Sequence, residues 1–192
     1  ADILPSDTAF VGEESVEAGN IPDTSKGDFF ITDPIDGTKN FVEGKRGVDI
    51  YTVNIALVLN SEPVLGVVHE PVTGDDFANL DLKTAVISVA GGPDIELKPG
   101  ITHDTNGQEL RRYHASCMSY ADIMRGLKGR NRHRLSYEWD TAAQDAILRT
   151  AGGRFYLQET GEPLTYNKAS EKFFNPPVIG WLEPGGPGAK TG

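Results

Sequence analysis

The sequence has a single cysteine, Cys117, in 192 residues, so no disulfide can close within the chain. That favours a reducing compartment, and a cytoplasmic location is the expectation. No apolar run approaches the ~20 residues of a membrane-spanning helix, and no basic-then-apolar opening of the signal-peptide kind is present. Positive charge is scarce: 18 Lys and Arg stand against 28 Asp and Glu, a net charge of −10. Such a surface repels nucleic-acid backbones and anionic lipid, so neither a nucleic-acid polymer nor a membrane is an expected partner. The four histidines, His69, His103, His114 and His133, show no metal-ligand spacing. Methionine occurs only at 118 and 124 and the first residue is Ala1. The expectation is a chain that starts inside a longer protein.

What is present is a globular composition, with 38% hydrophobic and 24% charged residues. Residues 1–182 read as one domain and 183–192, rich in Gly and Pro, as a flexible tail. Ala9-Phe10-Val11 reads as a short strand, residues 16–27 as a loop, and Asp28 to Thr32 as a second strand. Ile50–Leu59 and Val64–His69 read as a β-hairpin joined by a longer loop at 60–63, and Thr84–Ala90 as a further strand. Asp104-Thr105-Asn106-Gly107 reads as a turn. Thr141–Ala151 is the best helix, with Asp140 as its N-cap and Gly152-Gly153 as its stop. Phe155–Gln158 and Pro176–Trp181 read as late strands. Arg125, Lys128, Arg130, Arg132 and Arg134 form the one basic cluster, read either as a solvated loop or as a contact for a second substrate phosphate.

The chemistry centres on Asp33-Pro34-Ile35-Asp36-Gly37-Thr38. Pro34 biases Asp33 towards an extended conformation and Gly37 permits a tight turn. Asp33 and Asp36 then converge, the Ile35 side chain turns into the core, and its carbonyl faces the same point. Hard oxygen ligands of this kind suit Mg²⁺. With a helix starting near Thr38, the N–H groups of Gly37 and Thr38 would face an anion. Taken alone, the hexapeptide reads first as an acidic turn, since Asp-Pro and Asp-Gly are common turn chemistry. The spacing does not fit an EF-hand loop, because Asp36 falls at the fourth loop position and Gly44 at the twelfth. Asp140 reads both as a cap and as a ligand held at a rigid helix start. Glu13 and Glu14 read as a solvated pair or as part of the cluster. Carboxylates gathered from Glu13, Asp33, Asp36 and Asp140 would raise one another's pKa and call for a cation.

Together, Phe10-Val11-Gly12-Glu13-Glu14-Ser15, Asp33-Pro34-Ile35-Asp36-Gly37-Thr38-Lys39-Asn40-Phe41 and Trp139-Asp140-Thr141-Ala142-Ala143, closing on Ala151-Gly152-Gly153, resemble the inositol monophosphatase superfamily. The resemblance covers about residues 9–181. It implies an α/β fold, the layered αβαβα sandwich of those sugar phosphatases, incomplete at its N-terminal helices. It implies an Mg²⁺-dependent, lithium-sensitive phosphomonoesterase with two or more ions. Glu13, Asp33 and the Ile35 carbonyl would hold one ion, and Asp33, Asp36 and Asp140 another. Glu13, Asp36 and Thr38 would be the catalytic set, with Thr38 orienting the attacking water. The N–H groups of Gly37 and Thr38 would bind the substrate phosphate.

Tyr51-Thr52-Val53-Asn54-Ile55-Ala56-Leu57, Pro63-Val64-Leu65-Gly66-Val67-Val68 and Gly161-Glu162-Pro163-Leu164-Thr165-Tyr166 are similar to the 3'(2'),5'-bisphosphate nucleotidase branch. That branch removes the 3'-phosphate of adenosine 3',5'-bisphosphate, a by-product of sulfate assimilation. Glu13-Glu14-Ser15-Val16 is more like inositol monophosphatase itself. The family's acidic partner of the catalytic threonine would precede Ala1, and the interval 113–134 looks shortened. The readings are therefore a nucleotidase, an inositol-1-monophosphatase, or a truncated paralogue that binds metal without turnover. The implied partner is a small phosphorylated metabolite. The oligomeric state is open, with a homodimer as one option.

Overall fold

The computed structural model describes residues 8–44, 51–72, 74–79, 85–88, 95–96, 130–133 and 135–181. The turn expected at 104–107 and the tail at 183–192 lie outside these residues.

A seven-stranded sheet forms the larger layer, its strands in sequence order from β1 to β7. β1 (Ala9–Gly12) runs parallel to β2 (Phe29–Asp36). The connection between them carries a helix, α1 (Glu13–Glu17), which runs two residues into the loop expected at 16–27. From β2 onward every neighbour is antiparallel: β3 (Thr52–Leu59), β4 (Glu62–Glu70), β5 (Asp75–Asn79), β6 (Ala85–Ser88) and β7 (Ile95–Glu96). The β3–β4 hairpin turns on two residues, Asn60 and Ser61, both with positive φ (51° and 64°). That is the mirror-image turn whose twist matches a hairpin, and it is tighter than the loop expected from sequence.

β2 shows how the sheet is built. Phe29, Ile31 and Asp33 alternate onto the buried face, following the two-residue period of a strand. The strand does not stop at Thr32 but continues to Asp36, and α2 (Thr38–Glu43) follows Gly37 directly. The helix expected to start near Thr38 is present and runs to Glu43.

α3 (Glu138–Thr150) lies across this sheet, packed on β2, β3 and β4, and touches β10 (Arg154–Leu157) on its other side. β10 belongs to a three-stranded antiparallel sheet, β10–β12–β8, with β12 (Val178–Trp181) and β8 (Arg130–His133). Part of the basic cluster read as a loop is therefore strand. A two-stranded ladder pairs β9 (Ser136–Tyr137) with β11 (Phe174–Asn175). Sheet, helix and sheet are consecutive layers of an α/β fold.

Ten of the thirteen α3 residues are buried, Glu138, Gln144 and Asp145 among them, so the helix is enclosed on nearly all sides rather than on one apolar stripe. It meets the sheet closely at Gly66, where a Cβ would lie 2.2 Å from the Ala143 carbonyl oxygen. Only glycine lets helix and strand backbones meet there. The helix ends in a Schellman motif: Gly153 N–H bonds Leu148 O (2.7 Å) and Gly152 N–H bonds Arg149 O (3.2 Å), with Gly152 at φ 94°. One core joins the layers, built on Phe29, Phe77, Phe155, Phe173, Ile31 and Ile147. Among the described residues no helix is long and apolar enough to cross a membrane.

Candidate metal centre

β2 ends in a polar corner held by its own backbone. Asp33 Oδ1 accepts the Ile35 N–H at 2.9 Å, an Asx-type turn that fixes the carboxylate. Ile35 is half-buried rather than sunk in the core. Its carbonyl accepts the Thr38 hydroxyl at 3.0 Å. Gly37, at φ 92° and ψ 35°, occupies the left-handed region that lets the chain pass from β2 into α2.

Asp140 comes to the same corner from the start of α3. It is not the N-cap: the helix begins at Glu138, and Asp140 is its third residue. Its Oδ2 reaches back to accept the Tyr137 N–H at 2.6 Å. Cap and site are thus served by one carboxylate, whose two oxygens accept in different directions. One oxygen from each of Asp33, Asp36 and Asp140 lies within 4.8 Å of the others. Glu13, first residue of α1, is hydrogen-bonded to Asp33 and half-buried. Four of the expected acidic residues therefore meet, whereas Glu14 stays exposed.

The electrostatics follow from crowding and burial. Asp33, 2% exposed, is pushed up to about 9, first by burial and then by the Asp36 charge. Asp36 is raised to about 7 by burial and by Asp140, against a hydrogen bond from Asn54 that favours its charge. Asp140 is raised to about 6 by burial, and the Tyr137 N–H holds it lower than burial alone would. Burial also raises Glu13. Near neutral pH the cluster can be fully ionised only with a cation among its oxygens. Hard, anionic, convergent donors are the set a divalent Mg²⁺-like ion takes, so the residues fit such an ion.

Sequence reasoning missed the supports. Asn54 Nδ2 donates to Asp36 Oδ2 at 3.0 Å, and its Oδ1 accepts the Thr52 hydroxyl at 3.1 Å. The signal was there: a buried Asn in phase with the core face of an otherwise apolar strand. Behind α3, the fully buried Glu138 accepts the Asn167 and Lys168 N–H groups, both at 2.9 Å, and Lys168 Nζ at 2.8 Å. Asn175 Nδ2 donates to Tyr137 O (2.8 Å) and to Thr141 Oγ1 (3.0 Å). These bonds lock the helix start that presents Asp140.

A mixed sheet with a buried helix aiming carboxylates at one sheet end defines an α/β protein with an acidic cluster at that end. The model of the inositol monophosphatase family matches residues 3–93. The chain is thus similar, over part of its length, to proteins of the inositol monophosphatase family and to bisphosphate nucleotidases. It is 27% identical over 181 residues to the 3'(2'),5'-bisphosphate nucleotidase CysQ of Aggregatibacter actinomycetemcomitans, covering 79% of this chain and 63% of that protein. It is 38% identical over 80 residues to inositol monophosphatase 3 of Solanum lycopersicum, covering 41% of this chain and 28% of that one. The crystal structure of CysQ from Bacteroides thetaiotaomicron superposes with a TM-score of 0.71 at 24% identity, over 93% of this chain and 78% of that chain. The chain spans under two thirds of the length of the curated nucleotidases it matches.

Proposed function

We propose that the chain is a Mg²⁺-dependent phosphomonoesterase that takes the 3'-phosphate from adenosine 3',5'-bisphosphate. The observation that carries this reading is the meeting of Asp33, Asp36 and Asp140, from two distant segments, at oxygen separations within 4.8 Å. Glu13, Asp33, the Ile35 carbonyl, Asp36 and Asp140 would hold two ions. Bound there, they would supply Lewis acidity towards a phosphoryl oxygen and lower the pKa of water.

The remaining work falls to the chain. Thr38, exposed at the head of α2 and tied to Ile35 O, orients the attacking water. Glu13 and Asp36 hold the carboxylate field around it. The N–H groups of Gly37 and Thr38 bind the phosphate, so that water attack yields inorganic phosphate and a free 3'-hydroxyl. Asn54 and Tyr137 keep Asp36 and Asp140 in place. The stretch shared with a plant inositol monophosphatase favours a second reading, hydrolysis of inositol 1-phosphate at the same centre.

The test is phosphate release from adenosine 3',5'-bisphosphate, inositol 1-phosphate and fructose 1,6-bisphosphate, with and without Mg²⁺ and Li⁺. The nucleotide should be the best substrate, Mg²⁺ should be required, and Li⁺ should inhibit. Asp36→Asn should lower turnover by about two orders of magnitude or more while the protein stays folded. Release from inositol 1-phosphate alone would move the assignment to the second reading. Mg²⁺ binding without release from any monoester would make the chain a non-catalytic metal binder.

A further inference from the structure

Asn167 sits where three parts of the fold meet. Its Nδ2 donates to Thr24 O at 3.1 Å, and its Oδ1 accepts the Thr24 hydroxyl. Its backbone N–H donates to Glu138 Oε2 at 2.9 Å. One residue earlier, the Tyr166 N–H donates to Ser61 O at 3.2 Å, at the turn of the β3–β4 hairpin. Asn167 does this at φ 82°, in the left-handed region that asparagine tolerates better than most residues. Thr24, 143 residues away in sequence, is 3% exposed, and Glu138 is fully buried.

The two partners of Asn167 lead to the two halves of the carboxylate cluster. Thr24 O also accepts the Gly27 N–H at 2.9 Å, closing the turn that delivers the chain into β2. That turn rests on the hairpin, where Asp28 Oδ1 accepts the Asn60 N–H at 3.2 Å. β2 carries Asp33 and Asp36, and the same loop follows α1, which carries Glu13. Glu138 is the first residue of α3, two positions before Asp140. Hydrophobic packing is non-directional, so it presses α3 onto the sheet without fixing its rise along it. Hydrogen bonds weaken steeply with angle and do fix it. The cluster needs that precision, because the ligand distances of a bound cation must hold to about 0.2 Å.

We infer that Asn167 is a positioning residue for the metal centre. With Thr24 it forms a clasp that sets the spacing between Asp33 and Asp36 on β2 and Asp140 on α3. The side chain grips the approach to β2 while the N–H grips the first residue of α3. Neither half of the cluster then shifts without breaking a bond in a partly buried network. The inference rests on the reading of the cluster as a cation site, and it is tested by cation binding rather than by turnover.

The probe is Mg²⁺, titrated calorimetrically into the 192-residue chain and its variants, beside a thermal melt in EDTA. Asn167→Gly keeps the positive φ and the bond to Glu138 and removes the side-chain clasp. It should weaken Mg²⁺ binding about ten-fold or more. Thr24→Val, which keeps the shape and deletes the hydroxyl, should weaken it in the same direction, and Thr24→Ser should bind as the wild type does. The double variant Thr24→Val/Asn167→Gly should be no weaker than Asn167→Gly alone, because both changes remove one interaction. Where Asn167→Gly fails to fold, the contrast between Thr24→Val and Thr24→Ser decides alone. Lower melting temperatures with unchanged Mg²⁺ affinity would make the clasp merely structural and overturn the inference, as would additive losses of affinity. A wild type that binds no Mg²⁺ removes the cation site and the inference with it. Mg²⁺ binding that responds to the clasp, without phosphate release from any monoester, sustains the inference and refutes the hydrolytic reading instead.

Discussion

Removing a carboxylate from the proposed metal centre should make the metal-free protein more stable, and Asp33→Asn is the sharpest form of that expectation. The folded state raises Asp33 from the ordinary 3.8 to about 9, with burial the first cause and Asp36 the second. Native protein therefore binds a proton there that the unfolded chain has released. The sign follows directly: with more protons on the native side, stability falls as pH rises between about 4 and 9. At about pH 7.5, some four units above the ordinary value, the ceiling on this cost is about 5 kcal/mol at ~1.4 kcal/mol per unit. Relaxation and water entry reduce it, and about 2–3 kcal/mol is the working figure. Asparagine keeps the oxygen that accepts the Ile35 N–H and carries no charge. For a chain of this size, that corresponds to a melting temperature roughly 5–10 °C higher in excess EDTA. The gain should vanish near pH 4 and be largest near pH 9. Mg²⁺ at about 100 times its Kd should return ~2.7 kcal/mol to the wild type and none to the variant, bringing the two level, and at about 1,000 times its Kd the ~4.1 kcal/mol should reverse the order. Calorimetric melts across that pH range, with EDTA or Mg²⁺, are the assay. A variant that melts at or below the wild type in EDTA at pH 7.5–9, or a difference that ignores pH, refutes the reasoning.

The other predictions concern single contacts. Thr38→Ala should lower turnover about 10²-fold or more and shift the melting temperature little, because Thr38 is exposed and its hydroxyl is bonded to Ile35 O. Steady-state kinetics beside a thermal melt separate the two effects. Gly66→Ala should destabilise by about 1–3 kcal/mol or more, since its Cβ would sit 2.2 Å from Ala143 O, and urea denaturation would show a lower midpoint. Lys168→Met should cost about 3–5 kcal/mol by leaving the buried Glu138 carboxylate without its ammonium. A double variant with Glu138→Gln should recover part of that loss, and failure to do so would show that the pair is not coupled.

The strands and helices were legible wherever local rules and tertiary demands agreed. Phe29 to Thr32, the β3–β4 hairpin and α3 all carry the period of the surface they bury, and Gly152 stands where a helix must turn left-handed. The candidate ligands were legible for a different reason. Asp-Pro-Ile-Asp-Gly-Thr restricts its own backbone, so Asp33 and Asp36 are brought near each other by a few dihedral angles. What local rules left open was decided by distant parts of the chain. Asp140 read as a cap because capping is a local preference. It is the third residue of α3 because the Phe173 carbonyl, thirty-five residues on, satisfies the Glu138 N–H and starts the helix earlier. Asn54 looked like any strand residue until pairing set it beside Asp36. The raised carboxylates exist only in the fold, since exposed Asp in an open chain keeps its ordinary pKa. The sequence by itself determined which residues could bind a cation and, for β2, the β3–β4 hairpin and the body of α3, which segments would be strand or helix. Packing α3 on the sheet at Gly66 determined that the carboxylates meet, because only a close helix–sheet approach brings Asp140 to the end of β2.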